Sequence, residues 1–128
     1  MSDEFHPSSP IYLQLAERIN RQILRRELRP GDKLPSVREM AIQSHVNPNT
    51  VNRTYSELER MGIVESRRGQ GTFITEDEKR LSQLREDLRN RQIEFFVRAM
   101  GEMGFNPEEI VSGLQDYLKQ QRDRGKEE

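Results

Sequence analysis

A chain of 128 residues with 32% apolar and 34% charged side chains has room for one compact domain and an appendage, but not for a second large core or a roomy enzyme pocket. Cysteine is absent, which removes disulfides, thiolate metal sites and cysteine nucleophiles and suits a reducing cytoplasm. The formal charge of −1 is unevenly spread: residues 1–75 hold eleven Lys and Arg against nine Asp and Glu, net +2, while residues 76–128 hold ten against thirteen, net −3.

Residues 1–8 are polar, carry Ser and Pro without periodicity, and read as a flexible arm. Ser9 as cap and Pro10 as first residue open an amphipathic helix with Ile11, Leu15, Ile19, Ile23 and Leu28 on one side, ending before Pro30-Gly31. Arg18, Arg21, Arg25, Arg26 and Arg29 line its outer side, but Glu17 and Glu27 among them favour a solvated face over a phosphate stripe.

A second helix begins after Ser36, whose hydroxyl can cap it while Glu39 answers as a capping box, and it ends near Gln43. After His45-Val46, which read as a turn, Asn47 can cap a third helix whose first residue is Pro48, where a missing N–H costs nothing. Asn49 to Met61 form its body, with Val51, Tyr55, Leu58 and Met61 spaced to pack inward. Its free face offers Asn49, Asn52, Arg53 and Ser56, and amides and guanidinium groups can make paired hydrogen bonds to purine edges in a major groove. Gly62 supplies a left-handed stop. A strand over Ile63-Val64-Glu65-Ser66 then turns through Arg67-Arg68-Gly69-Gln70-Gly71 into Thr72-Phe73-Ile74, a hairpin with adjacent arginines near its tip. Two short helices followed by such a hairpin make the plan of a winged helix-turn-helix, domain 9–75, with Lys33, Arg38, Arg53, Arg67 and Arg68 as the positive groups that folding would gather.

Glu76-Asp77-Glu78 suits the N-terminal end of a long helix, because the helix dipole favours acidic groups there. Leu81, Leu84, Leu88, Phe95, Phe96, Ala99, Met100 and Met103 give that helix an apolar stripe with heptad character, interrupted by Arg91 and Gln92. Gly101 to Phe105 breaks it. Asn106 caps a last helix that starts at Pro107, has Glu108 and Glu109 in its first turn, and carries Ile110, Val111, Leu114, Tyr117 and Leu118 as its apolar face. The helical region is expected over 76–121, with a frayed tail at 122–128. Two helices of this size cannot bury both stripes within one chain, so they are expected to pair with a second copy, the alternative being that the stripe folds back onto the winged domain of its own chain. Leu81, Leu84, Leu88, Phe95, Phe96, Met100, Leu114 and Leu118 would form that dimer surface. The fold class expected for the whole chain is mostly α with a small β-hairpin: a winged helix-turn-helix followed by a two-helix dimerisation tail.

The stretches Pro30-Gly31-Asp32-Lys33-Leu34-Pro35-Ser36-Val37-Arg38-Glu39-Met40-Ala41, Asn49-Thr50-Val51, Leu58-Glu59-Arg60-Met61-Gly62-Ile63-Val64 and Gly69-Gln70-Gly71-Thr72-Phe73 resemble the DNA-binding domain of the GntR family of bacterial repressors. The resemblance covers about residues 8–75. It implies that Arg38 touches DNA from the first helix of the pair, that Asn47, Asn49, Thr50, Asn52 and Arg53 meet the major groove, and that Arg68-Gly69 enters the minor groove. Lys33, Ser36, Arg67 and Gln70 complete the expected DNA-binding set. Many relatives carry Arg where this chain has Pro48, so a base contact of theirs is missing here, and Asn49 and Asn52 would shift preference toward adenine. The short tail resembles the YtrA-like subgroup, which implies a repressor and leaves the identity of any small-molecule effector open.

Catalysis is not expected: the two histidines, His6 and His45, fall in the arm and in a turn, with no nucleophile-base grouping and no metal-ligand spacing, and no cofactor or metal is expected. No secretory signal and no apolar run of about 18 residues or more is present, so the expected place is the cytoplasm, away from membranes. The partners expected are double-stranded DNA with a palindromic operator and a second copy of the chain. The rival reading is a winged-helix module that binds protein or RNA, and adjacent arginines at the hairpin tip together with amides on the third helix favour a DNA reader over it.

Overall fold

The computed structural model describes Phe5 and residues 7–127. The elements run α1 (Ile11–Leu24), α2 (Val37–Ser44), α3 (Pro48–Arg60), β1 (Val64–Arg67), β2 (Gly71–Ile74), α4 (Glu78–Glu102) and α5 (Pro107–Glu127). The chain divides into two compact units, Met1–Arg85 and Glu86–Glu128. Most of the expected arm, residues 1–4 and 6, lies outside the described residues.

In the first unit, α1 buries Leu15, Ala16, Ile19 and Ile23 against α3, which returns Val51, Thr54, Tyr55 and Leu58. Each fully buried Leu or Ile contributes about 1.5–3 kcal/mol, so this layer is the main source of the unit's stability. Two buried hydroxyls fix how the layers meet. The Thr54 hydroxyl reaches the carbonyl oxygens of Tyr12 at 2.9 Å and Thr50 at 3.0 Å, and the Tyr55 hydroxyl donates to the Pro35 carbonyl at 2.7 Å.

Helix α1 corrects three expectations. Its cap is Pro10, with no side-chain bond, and the carbonyl of Ser9 accepts instead from the Gln14 amide at 2.7 Å. The helix stops at Leu24, and Arg26 turns left-handed at φ 63°, so Leu28 leaves the stripe for the following loop. Ile11, expected inside, is 45% exposed.

Helices α2 and α3 start as their sequences dictate. Ser36 Oγ accepts from the Glu39 N–H at 3.1 Å while Glu39 Oε1 accepts from the Ser36 N–H at 3.0 Å, a complete capping box. Asn47 Oδ1 accepts from the Asn49 N–H at 2.8 Å, with Pro48 as the first helical residue. Between them His45 closes α2 in the left-handed region at φ 55°, which gives the helix-turn-helix its corner. Met61 is the cap of α3 and only half-buried, one residue beyond the helix expected to include it.

The wing pairs antiparallel, Val64 with Ile74 through Arg67 with Gly71. Ile63 falls just before the first strand, and Arg67 and Gly71 belong to the strands rather than to the turn. A third segment joins them. Gly31 N–H donates to Ile74 O at 2.9 Å, Ile74 N–H to Asp32 O at 2.8 Å, and Leu34 N–H to Thr72 O at 2.8 Å, so residues 31–34 run antiparallel beside β2.

Helix α4 is capped by Asp77, whose Oδ1 accepts from the Lys79 N–H at 3.0 Å and the Arg80 N–H at 3.3 Å. Its first turns belong to the first unit, where Arg80 Nε donates to the Met61 carbonyl at 2.6 Å and Leu81 and Leu84 are 5% and 1% exposed. Both leucines were expected on the dimer surface. They are buried in the core of their own chain instead, with Leu81 beside Ile23 and Leu24.

In the second unit α5 opens with its own capping box between Asn106 and Glu109, at 3.0 and 2.8 Å. It continues to Glu127, past the point where a frayed tail was expected. Of its apolar face only Ile110 is buried; Val111, Leu114, Tyr117 and Leu118 are exposed, as are Ile93, Phe95, Phe96 and Val97 on α4.

Candidate nucleic-acid interface

The outward side of α3 is built by what its inward side consumes. Val51, Thr54, Tyr55 and Leu58 turn into the core, and the remaining turns of the helix leave Asn49, Asn52, Arg53 and Ser56 exposed. Asn47 shares this end of the helix, but its side-chain oxygen is occupied as the cap, so it offers only its amide N–H groups. Thr50 is half-buried beside the first turn. Arg53 lies with its guanidinium carbon 4.0 Å from the centre of the Tyr12 ring, a contact between α3 and α1 that the sequence alone does not announce.

Arg38 stands exposed on α2, two residues past the Ser36 cap. Ser36 has its oxygen engaged by the Glu39 N–H, so what it can offer a partner is its hydroxyl proton. Lys33 is exposed and its stem lies across the start of β2, next to the wing tip: a Cβ on Gly71 would stand 2.7 Å from Lys33 Cε, and Gly71 holds φ 122°. A glycine is what lets the lysine stem cross the strand there. Lys33, Pro35, Ser36, Tyr55, Gln70 and Thr72 line one groove between the start of α2 and the wing.

At the wing itself the two arginines differ. Arg67 is in β1, its guanidinium carbon 4.1 Å from the Phe73 ring centre and its Nη2 2.8 Å from Glu65 Oε1. Its charge is largely answered within the hairpin. Arg68, Gly69 and Gln70 form the exposed tip, where Gly69 takes φ 75° and the Gln70 N–H closes the turn onto Arg67 O at 2.8 Å. Ser66 Oγ donates to Glu59 at 2.9 Å, which ties the hairpin to α3.

Carboxylates near this surface are held by local partners. The Ser36 backbone N–H, then its side chain, lowers the pKa of Glu39, and the hydrogen bond from Arg60 does the same for Glu57. Glu57 is thus an anion paired with Arg60, and Glu39 an anion that the capping box favours. Burial pushes the Tyr55 phenol up, with a smaller push from Glu39, so it stays a hydrogen-bond donor to Pro35.

A helix with exposed amides, set beside a hairpin whose tip is Arg-Gly-Gln, is equipped to meet grooves and phosphates, and comparison with known proteins agrees. Residues 11–74 match the family of bacterial regulatory proteins of the gntR type. The chain belongs to the GntR family. It is 54% identical over 119 residues to the HTH-type transcriptional regulator YhcF of Bacillus subtilis (strain 168), covering 93% of this chain and 98% of that protein. It is 51% identical over 72 residues to the HTH-type transcriptional repressor YtrA of the same organism, covering 56% of this chain and 55% of that one. Among solved structures, a GntR family transcriptional regulator from Listeria monocytogenes matches with a TM-score of 0.83 at 39% identity, over 88% of this chain and 98% of that one. This GntR-family chain is a DNA-binding transcriptional regulator of the YtrA-like kind, a winged helix-turn-helix with two further helices. Among its described residues no helix is long and apolar enough to cross a membrane.

Proposed function

We propose that this GntR-family regulator is a repressor that acts in the cytoplasm, binding a palindromic operator as a homodimer. The observation that carries the reading is the company α3 keeps: Asn49 and Asn52 exposed on a capped helix, in the same unit as a wing whose tip is Arg68-Gly69-Gln70. Helix α3 would enter the major groove, where the amides of Asn49 and Asn52 can pair with an adenine edge, while Arg68 reaches the neighbouring minor groove. Arg38, Lys33 and Ser36 would meet the backbone alongside, with Asn47, Thr50, Arg53 and Gln70 at the edges. Arg67 contributes to this surface by stiffening the wing over Phe73.

A second copy accounts for the tail. Leu88 and Met100 are half-exposed, and Phe95, Phe96, Leu114 and Leu118 are exposed, a set of large apolar groups that a lone chain leaves in water. Pairing through them would present two α3 helices to two half-sites, and occupancy of a promoter would exclude polymerase. The repressor role is in keeping with the likeness to YtrA.

Selection from a random duplex pool by the full chain at near-physiological salt tests the reading. Enrichment of an inverted repeat is expected. Enrichment of a single half-site would remove the dimer, and no enrichment by folded protein would leave the winged helix as an interaction module.

A further inference from the structure

Tyr12 lies on α1, outside the surface formed by α3 and the wing, yet two contacts bind it to α3. The Arg53 guanidinium carbon is 4.0 Å from its ring centre, and the Thr54 hydroxyl donates to its backbone oxygen at 2.9 Å. Thr54 is fully buried, so the place of Tyr12 is set by the core. Arg53 is exposed, and among the described residues no carboxylate forms an ion pair with it, whereas Arg60 on the same helix is paired with Glu57. An exposed arginine samples many rotamers, and fixing one upon binding costs affinity. A ring under the guanidinium restricts that sampling beforehand.

The ring also decides a direction. Successive residues on a helix point about 100° apart. Thr54 faces α1, so Arg53, drawn onto Tyr12, lies toward the α1 edge of α3 and away from Asn52. We infer that Tyr12 is a positioning residue that holds the Arg53 guanidinium at the α1 edge of the reading helix for a DNA phosphate, leaving base edges to Asn49 and Asn52. The inference rests on the DNA surface proposed above and changes the role of Arg53 within it from base reader to backbone clamp. Stacking leaves the N–H groups at the rim of the guanidinium plane free, which is the geometry a phosphate oxygen requires.

The test uses the full chain, a duplex recovered by selection and a second duplex of unrelated sequence. Arg53→Ala is expected to weaken binding to both by a similar factor, about tenfold, and to lower the slope of log affinity against log salt by about one. Tyr12→Leu, which keeps apolar bulk and removes the ring, is expected to weaken both about two- to fivefold, with no further loss when added to Arg53→Ala. Tyr12→Phe should bind as the parent does. The inference falls if Arg53→Ala spares the unrelated duplex and relaxes base preference at one position. It falls equally if Tyr12→Leu weakens binding as much in the Arg53→Ala background, since Tyr12 would then act through the fold alone. Asn49→Ala and Asn52→Ala separate this failure from that of the underlying surface. If they weaken the selected duplex while Arg53→Ala leaves both duplexes untouched, only the Tyr12 and Arg53 assignment is lost; if they too have no effect, the surface itself is misplaced.

Discussion

The first unit spends its apolar residues inside and the second leaves them outside. Within Met1–Arg85 most of the large apolar groups, from Leu15 to Leu84, close a core that reaches into the first turns of α4, with Ile11, Leu13 and Ile42 left exposed, and buried hydroxyls such as Thr54 and Tyr55 find partners. Among the described residues of Glu86–Glu128 only Ile110 is buried, while aromatic and aliphatic groups along both helices face water. Burial measures how far each unit is finished by its own chain. A unit with a closed core can present polar groups to a ligand without exposing apolar surface to aggregation, and a unit with an open face needs another surface to complete it.

The contrast can be broken most severely in the closed core. Leu58→Ala, at a position with no exposure, is expected to cost about 2–5 kcal/mol of unfolding free energy by denaturant titration of the full chain. A loss below about 1 kcal/mol, the range of surface substitutions, would mean that the core is not where the stability resides. Polar replacement of the open face comes next. Phe95→Glu combined with Leu114→Glu is expected to yield monomers by analytical ultracentrifugation, with helix content retained; a persistent dimer would move the interface elsewhere.

A smaller effect belongs to the α2 cap. Ser36→Ala is expected to cost about 1 kcal/mol of stability, read from the denaturation midpoint. The pKa of Glu39 is lowered by the Ser36 N–H in the folded state, so its contribution is present above the ordinary carboxylate value and is lost as pH falls through the lower folded value. Acidifying the parent protein through that window should therefore lower its stability, and Glu39→Ala, which removes the carboxylate, should lose that part of the pH dependence. The smallest effect is at the wing tip. Arg68→Ala is expected to reduce the salt slope of DNA binding by about one, with little change in fold stability, and an unchanged slope would take the tip out of phosphate contact.

What was legible in the sequence was the local grammar. Ser36 with Glu39, Asn47 before Pro48, and Asn106 with Glu109 each announced a helix start from a few neighbouring residues, and Gly62 its end. What escaped was pairing at a distance. Asp32-Lys33 has no strand pattern, so its alignment with β2 could not be read from periodicity. Leu81 and Leu84 were correctly placed on an apolar stripe, but a stripe does not name what covers it, and the first unit claimed them. The Arg53 and Tyr12 contact joins two helices whose meeting depends on the whole fold. Of the candidate site, the exposed positions on α3 and at the wing tip were readable from helical spacing and turn chemistry, whereas the internal engagement of Arg67 with Phe73 and Glu65 was not.

The bonds from residues 31–34 to β2 give the wing a mechanical connection. Leu34 is hydrogen-bonded to Thr72 and stands two residues before Ser36, the cap of α2. A pull on the hairpin tip is therefore felt as tension at the start of α2. Amide exchange offers a view of this linkage: the N–H groups of Gly31, Leu34 and Ile74 should open as a cooperative set, and DNA that grips the tip should slow all three together.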